Sequence, residues 1–267
     1  MAPIYSNNLY QPRDRSNICK AAGVKVVPSV AVVQIAQKAG FDALFIDMEH
    51  STLSIYNVSQ LCTAGLLAGI TPLVRVPHQC GNGMVQKVLD GGAMGVIFPH
   101  IDSRSDAEAA VSISKYPPWG KRSMTGQLPQ FSMVTRPVQQ VVDESNANGS
   151  AVIVMMETGL SLENADTIAS TPGVDVLLVG SSDLCIDLGI SGQFESDQFR
   201  AALETVNNSC KNHKKLFGIA GIYEDSSTLS WAIKNLDVRF MLGQYDASIV
   251  SKGFKQCAES MKQLERL

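Results

Sequence analysis

Ala43-Leu-Phe-Ile-Asp47, a stretch of helical spacing over 58–68, and Pro72-Leu-Val-Arg-Val76 together read as one β-α-β unit. The two short runs are apolar throughout instead of alternating with polar residues. That is the pattern of strands covered on both faces, as in parallel sheets flanked by helices.

Outward from this unit the same rhythm continues from about residue 24 to the end. Strands are predicted over 24–30, 43–47, 72–76, 96–98, 152–156, 176–179, 217–222 and 240–243. Amphipathic segments are predicted over 58–68, 85–89, 105–114, 137–145, 162–170, 196–212, 227–234 and 252–267. Eight apolar strands alternating with helices over about 250 residues is the pattern of an α/β fold of the TIM (β/α)8 barrel type. A doubly wound open sheet is the competing architecture. It would gather its ligand contacts at one crevice, whereas here polar residues follow most of the strands. One Pro- and Gly-rich stretch, 116–130, breaks the rhythm as a long loop, a feature that commonly serves binding or assembly.

The 267 residues, 45% of them hydrophobic, suffice for one large core, so a single barrel domain over 1–267 is expected. Twenty-two Lys and Arg against 25 Asp and Glu leave no basic block to follow a phosphate backbone, which argues against nucleic acid. No apolar run reaches the roughly 20 residues of a membrane helix, and residues 1–15 lack the apolar stretch of a secretion signal. A soluble, cytoplasmic protein is expected. The six cysteines are scattered without a CxxC pair and read as reduced thiols.

In such a barrel the chemistry gathers at the carboxyl ends of the strands. Glu157 and Asp183 close two consecutive apolar strands. Converging carboxylates favour a hard divalent cation such as magnesium or manganese with open coordination positions, although each could instead cap a helix or pair with a lysine. Arg75 interrupts an apolar strand and needs an anion, either a ligand oxyanion or a barrel carboxylate. His50 follows Asp47 by three residues, so the carboxylate could orient the imidazole as a proton carrier. His100 lies near the same strand ends after Phe98-Pro99, and Gly180-Ser181-Ser182 offers small residues that let backbone N–H groups approach an anion. No lysine closes a strand, which argues against a Schiff-base mechanism.

Ile46-Asp-Met-Glu-His50, Pro72-Leu-Val-Arg75, Val88-Leu-Asp-Gly-Gly-Ala93, Tyr116-Pro-Pro-Trp-Gly-Lys-Arg122, the Glu157 strand and Gly180-Ser-Ser-Asp-Leu184 occur in the order and near-spacing of one family. The chain resembles the metal-dependent class II pyruvate aldolases, the 4-hydroxy-2-oxoheptanedioate aldolase and citrate-lyase-like group, and within it the fungal branch that includes macrophomate synthase. The resemblance runs from about residue 17 to 247. It implies a barrel of the phosphoenolpyruvate/pyruvate-binding type, with magnesium, manganese or cobalt on Glu157 and Asp183 and pyruvate chelating the ion. It further implies Arg75 on the enolate oxygen and His50 moving protons, held by Asp47 and by Asp90 of a neighbouring subunit. Gly180, Ser181 and Ser182 would hold the pyruvate carboxylate, and His100 would line the substrate site. Assembly as a hexamer, a trimer of dimers that exchange a C-terminal helix at about 248–267, is also implied. Two positions depart from many bacterial members: Met155 stands for a glutamine, and Ser181-Ser182 for Pro-Ala.

The expected function is a metal-dependent carbon-carbon lyase on 2-keto acids. It would release pyruvate by retro-aldol cleavage of a substrate made with an aldehyde or other acceptor, or decarboxylate oxaloacetate, through a metal-bound pyruvate enolate. The alternatives are a macrophomate-synthase-like enzyme joining that enolate to a larger acceptor, and a citrate-lyase-like enzyme whose CoA groove would draw on Lys121 and Arg122. A catalytically silent oligomeric barrel is the non-enzymatic alternative.

Overall fold

The computed structural model describes residues 4–11, 18–223 and 227–264. Eight parallel strands close in sequence order, each hydrogen-bonded to the next and β8 to β1. They are β1 (Cys19–Val24), β2 (Ala43–Asp47), β3 (Thr71–Arg75), β4 (Gly95–Phe98), β5 (Ala151–Met156), β6 (Val176–Gly180), β7 (Leu216–Ala220) and β8 (Val238–Tyr245). Between them run α1 (Ala31–Lys38), α2 (Ile55–Ala68), α3 (Asn82–Asp90), α4 (Arg104–Ser114), α5 (Val138–Glu144), α6 (Gly159–Glu163), α7 (Ala165–Ala169), α8 (Ser181–Asp187), α9 (Asp197–His213) and α10 (Ser227–Asn235), and α11 (Asp246–Leu264) follows β8. This is the TIM-type barrel, and closure leaves no sheet edge to cover.

Strand residues sort into two apolar layers. Ala43, Phe45, Leu73, Ile97, Ile153, Met155, Val176, Leu178, Phe240 and Leu242 fill the lumen. Leu44, Ile46, Val74, Val96, Val152, Val154, Leu177 and Val179 face the helices. The continuous apolar runs in the sequence are therefore two interleaved layers of period two. The short helical turn Asn8–Tyr10 closes the amino end of the lumen with Leu9, while the Asn7 side chain donates to the carbonyls of Met94 and Asn148 at 3.1 and 2.9 Å.

The structure moves several predicted boundaries. The first strand is Cys19–Val24, not 24–30. Its lumen residues Cys19 and Ala21 are small and Lys20 breaks the apolar run, whereas Val26 and Val30 belong to an exposed loop. The segment 162–170 is split at Asn164 into α6 and α7, and neither α1 nor α8 was predicted. The closing helix begins at Asp246, and residues 265–267 of the predicted segment lie outside the described residues. The loop 116–130 follows α4, which returns the chain to the amino ends of the strands. It is fastened there by Gln130, whose side-chain amide donates to Leu89 and Ala93 carbonyls at 2.6 and 2.8 Å. It therefore lies on the face opposite its own barrel mouth.

All six cysteines are free, four of them buried. Among the described residues no helix is long and apolar enough to cross a membrane. Phe240 is fully buried in the lumen layer. Phe240→Ala is expected to cost about 3–5 kcal/mol and to lower the urea midpoint accordingly, read by circular dichroism; an unchanged midpoint would contradict this placement.

Candidate active site

The parity that puts Ala43 and Phe45 inside the barrel carries on to Asp47; Leu73 carries on to Arg75, Ile153 and Met155 to Glu157, and Val176 and Leu178 to Gly180. Four polar or glycine positions at the carboxyl ends of β2, β3, β5 and β6 thus point into one mouth. A cavity of about 170 Å³ there is lined by His50, Arg75, Glu157, Gly180, Ser181, Ser182 and Asp183 among others. These are most of the residues singled out from the sequence.

Asp47 and Arg75 are register partners on β2 and β3. The Arg75 Nε donates to Asp47 Oδ1 at 3.0 Å and an Nη to Oδ2 at 2.7 Å, a buried two-point fork. Glu49 takes the other Nη at 3.2 Å. Burial acts to raise the Asp47 carboxyl, but the Arg75 bonds and charge, with N–H groups of His50 and Glu49, hold it below the usual range. Of the two expectations for Arg75, the barrel-carboxylate partner is present. Asp47 is accordingly committed to Arg75 and does not orient the His50 ring. The half-exposed imidazole has Nε2 3.7 Å from Glu49 instead.

Glu157 is buried, and desolvation raises its carboxyl to about 6. The His100 N–H donates to its Oε2 at 2.8 Å and, with the His100 charge, acts against that rise, while the Asp183 charge adds to it. His100 holds a left-handed backbone (φ 51°) and stacks edge-on to His78, ring centroids 5.1 Å apart. It lines a neighbouring cavity and not the one just described, so its connection to the mouth runs through Glu157. Gly180 is required by closeness: a Cβ there would stand 2.5 Å from Glu157 Oε1. The buried Ser181 hydroxyl has no hydrogen-bond partner among the described residues, a demand normally met by a ligand or water.

Asp90 ends α3 on the opposite face of the barrel and pairs with Arg122 at 2.7 Å. Within one chain it does not reach the mouth. Arg122 is buried and stacked over Tyr116, so it does not form an open basic groove with Lys121.

Sequence reading missed Lys25, Glu49, Tyr223 and Tyr245. Glu49 sat within the quoted Asp-Met-Glu-His cluster. Lys25 was the lone charge in the misplaced first strand; with β1 ending at Val24 it directly follows a strand and lines the cavity, which corrects the expectation that no lysine closes a strand, and Tyr245 became visible only once β8 proved longer than expected. Tyr223 follows β7 beside residues outside the description.

Residues 27–230 match the family model described as HpcH/HpaI aldolase/citrate lyase. The chain belongs to this family. A 4-hydroxy-4-methyl-2-oxoglutarate aldolase, tasA of Hapsidospora irregularis, is 49% identical over 261 residues, 98% of this chain and 97% of that one. A protein of the same description from Chaetomium globosum, cghB, is 49% identical over 260 residues, 97% of each chain. Among solved structures, an HpcH/HpaI aldolase from Desulfitobacterium hafniense superposes with TM-score 0.85 at 25% identity, over 92% of this chain and 93% of that one. Macrophomate synthase shares the fold, with TM-score 0.78 at 23% identity over 99% and 95% of the two chains. The HpcH/HpaI family is generally dependent on a divalent metal. With relatives this similar named as aldolases, the protein is a carbon-carbon lyase. The silent barrel is set aside.

Among the described residues no three His, Cys, Asp or Glu side chains form a closed metal cage. Glu157 and Asp183 line one cavity, and their oxygens are donors of the kind a hard divalent ion takes: Glu157 is crowded by burial and by the Asp183 charge, which a cation would relieve.

Without metal, the folded chain holds the Glu157 proton more tightly than the unfolded chain between the ordinary 4.5 and about 6. This group therefore removes about 2 kcal/mol of stability as pH rises through that window. Glu157→Gln is expected to raise the melting temperature of metal-free protein at about pH 8 more than at about pH 5. A pH-independent difference in calorimetry would contradict the burial argument.

Proposed function

We propose that this aldolase cleaves 4-hydroxy-2-oxo acids to release pyruvate, with 4-hydroxy-4-methyl-2-oxoglutarate as the first substrate to examine. The carrying observation is the meeting of Glu157, Asp183, Arg75, His50 and the Gly180–Ser182 turn around one cavity. The names of the two relatives at 49% identity support the choice of substrate.

Glu157 and Asp183 would hold magnesium, manganese or cobalt. When bound, such an ion supplies Lewis-acid polarisation of the 2-oxo group. The chain's own residues do the rest. The backbone of Gly180, Ser181 and Ser182, with the unpartnered Ser181 hydroxyl, binds the substrate carboxylate. Arg75, locked in its fork by Asp47 and Glu49, presents fixed positive charge to the oxygens on which negative charge grows. His50 takes the proton of the C4 hydroxyl. The C3–C4 bond breaks, a carbonyl forms at C4, and the electron pair passes to pyruvate as its enolate, which is completed by a proton at C3. Asp47 is a positioning residue for Arg75 in this scheme. His100 serves through its N–H to Glu157.

Oxaloacetate losing carbon dioxide gives the same enolate, so decarboxylation is a second expected activity. Trapping by a larger acceptor, the macrophomate-synthase-like alternative, has support at the level of fold alone.

The completed enzyme is an oligomer in this reading. Ile249, Val250, Phe254, Met261 and Leu264 of α11 are exposed, an apolar surface suited to exchange with another copy. A hexamer of such dimers would give Asp90 its route to the His50 of a neighbouring copy. The six free thiols suit the cytoplasm.

Metal-stripped protein is expected to release pyruvate only after magnesium or manganese is restored, and Glu157→Ala to abolish that recovery. Absence of pyruvate from both 4-hydroxy-2-oxo acids and oxaloacetate would overturn the reading. Arg75→Lys keeps the charge but loses the fork. It is expected to lower kcat about 100-fold or more with a smaller change in KM, measured by coupled pyruvate assay.

A further inference from the structure

Asp246, at the junction of β8 and α11, accepts backbone N–H groups of Lys25, Val26 and Val27, at 3.0 Å for Lys25 and 2.7 Å for Val27. The chain leaving β1 is thereby clamped to the end of β8. Tyr245 stands beside this clamp. It packs over Gly23, where a Cβ would meet its ring at 2.5 Å, and edge-on against Phe45 at 6.0 Å, while its hydroxyl takes an Arg75 Nη at 3.3 Å. The Lys25 stem extends over the Tyr245 ring with Nζ 5.4 Å from its centroid.

This places the Lys25 ammonium in the lining of the cavity that holds Glu157, Asp183 and Arg75. Its situation differs from that of Arg75, whose charge is matched by Asp47 and Glu49. No carboxylate among the described residues forms an ion pair with Lys25. Glu157 and Asp183 would have a divalent ion to offset them, so among the described residues of this lining the Lys25 ammonium is the charge left without a carboxylate in contact. The turn at Gly180–Ser182 lines the same cavity and suits one carboxylate. With the first carboxylate on that turn, a second carboxylate can pair with Lys25 in contact; an uncharged end leaves the ammonium without a partner.

We infer that Lys25, seated on Tyr245 and held by Asp246, is the specificity-determining anchor for the second carboxylate of a dicarboxylic 2-oxo acid. The inference rests on the aldolase reading and deepens it: the pyruvate half of the substrate meets Gly180–Ser182, Arg75 and the carboxylate pair, and the departing half carries a carboxylate to Lys25. An acceptor such as a 2-oxo acid is then favoured over a neutral carbonyl compound of the same size. Charge-assisted contact to a carboxylate commonly contributes about 10- to 100-fold in affinity.

Lys25→Met keeps the stem and removes the charge, and Lys25→Arg restores it. Pyruvate release is compared for 4-hydroxy-4-methyl-2-oxoglutarate and 4-hydroxy-4-methyl-2-oxopentanoate, which differ only in the terminal carboxylate. The expected result is a loss of about 10- to 100-fold in kcat/KM for the dicarboxylate with Lys25→Met, mainly in KM. The monocarboxylate should be little changed, and Lys25→Arg should recover most of the loss. Equal losses on both substrates, or none on either, overturn the anchor.

Binding of uncleavable 2-oxoglutarate and 2-oxopentanoate to the metal-loaded proteins, by titration calorimetry, separates this inference from the reading beneath it. A preference for 2-oxoglutarate that disappears in Lys25→Met upholds the anchor even if no substrate is cleaved. Absence of any preference in the unmodified protein overturns the anchor even if pyruvate is released.

Discussion

Closing eight parallel strands on themselves makes every second strand residue a lumen residue, and a lumen with no room for water accepts charge only at its ends. In this protein that constraint connects the core to the chemistry. The residues filling the barrel, Phe45, Leu73, Met155 and Leu178, stand one strand step below Asp47, Arg75, Glu157 and Gly180. The apolar packing that stabilises the fold is the platform that aims the polar groups. A shift of one residue in register would turn Arg75 outward among the helices and bring an apolar side chain to the mouth.

Once the charged groups share that mouth, their partners follow from the cost of leaving them bare. Arg75 is satisfied by two carboxylates, one on the adjacent strand and one in the turn beyond it. Glu157 has a backbone N–H, a histidine, the more distant Arg75 charge and a second carboxylate around it, and its raised proton affinity expresses a burial that these do not offset. The asymmetry gives two kinds of group in one cavity: an arginine kept permanently charged and rigid, and a carboxylate pair poised for a cation. Preorganised charge of the first kind and an unmet demand of the second are what the proposed enolate chemistry would draw on.

The two faces of the barrel have different work. Loops following strands carry the site, whereas the long segment 116–130, the Asp90–Arg122 pair and the Asn8–Tyr10 plug all lie at the amino ends. The family residues that do not join the mouth in one chain are concentrated there. The oligomer proposed above would set one copy's amino-end face beside another's mouth, with the exposed apolar side of α11 as the surface that would hold such copies.

The alternation of apolar runs and helical segments marked a parallel α/β fold, and the polar residues after most strands favoured the barrel over the open sheet. Strand-end position likewise made Glu157, Asp183, Arg75 and His50 legible as candidates. Strand β1 escaped because its lumen positions are Cys19 and Ala21, too small to mark a strand by hydrophobicity. Sequence spacing suggested that Asp47 serves His50, three residues on, but tertiary structure gave it to Arg75, 28 residues away, through β2–β3 register. His100 joined Glu157 without lining the cavity of Arg75 and Asp183 for a related reason: its backbone, not its ring, makes the closest contact. Lys25 and Tyr245 meet only because β1 and β8 close the barrel. The chain therefore determined by itself which residue types stand at the strand ends, since periodicity is local. Which of them touch was decided by closure, register and desolvation, which act between segments far apart in sequence.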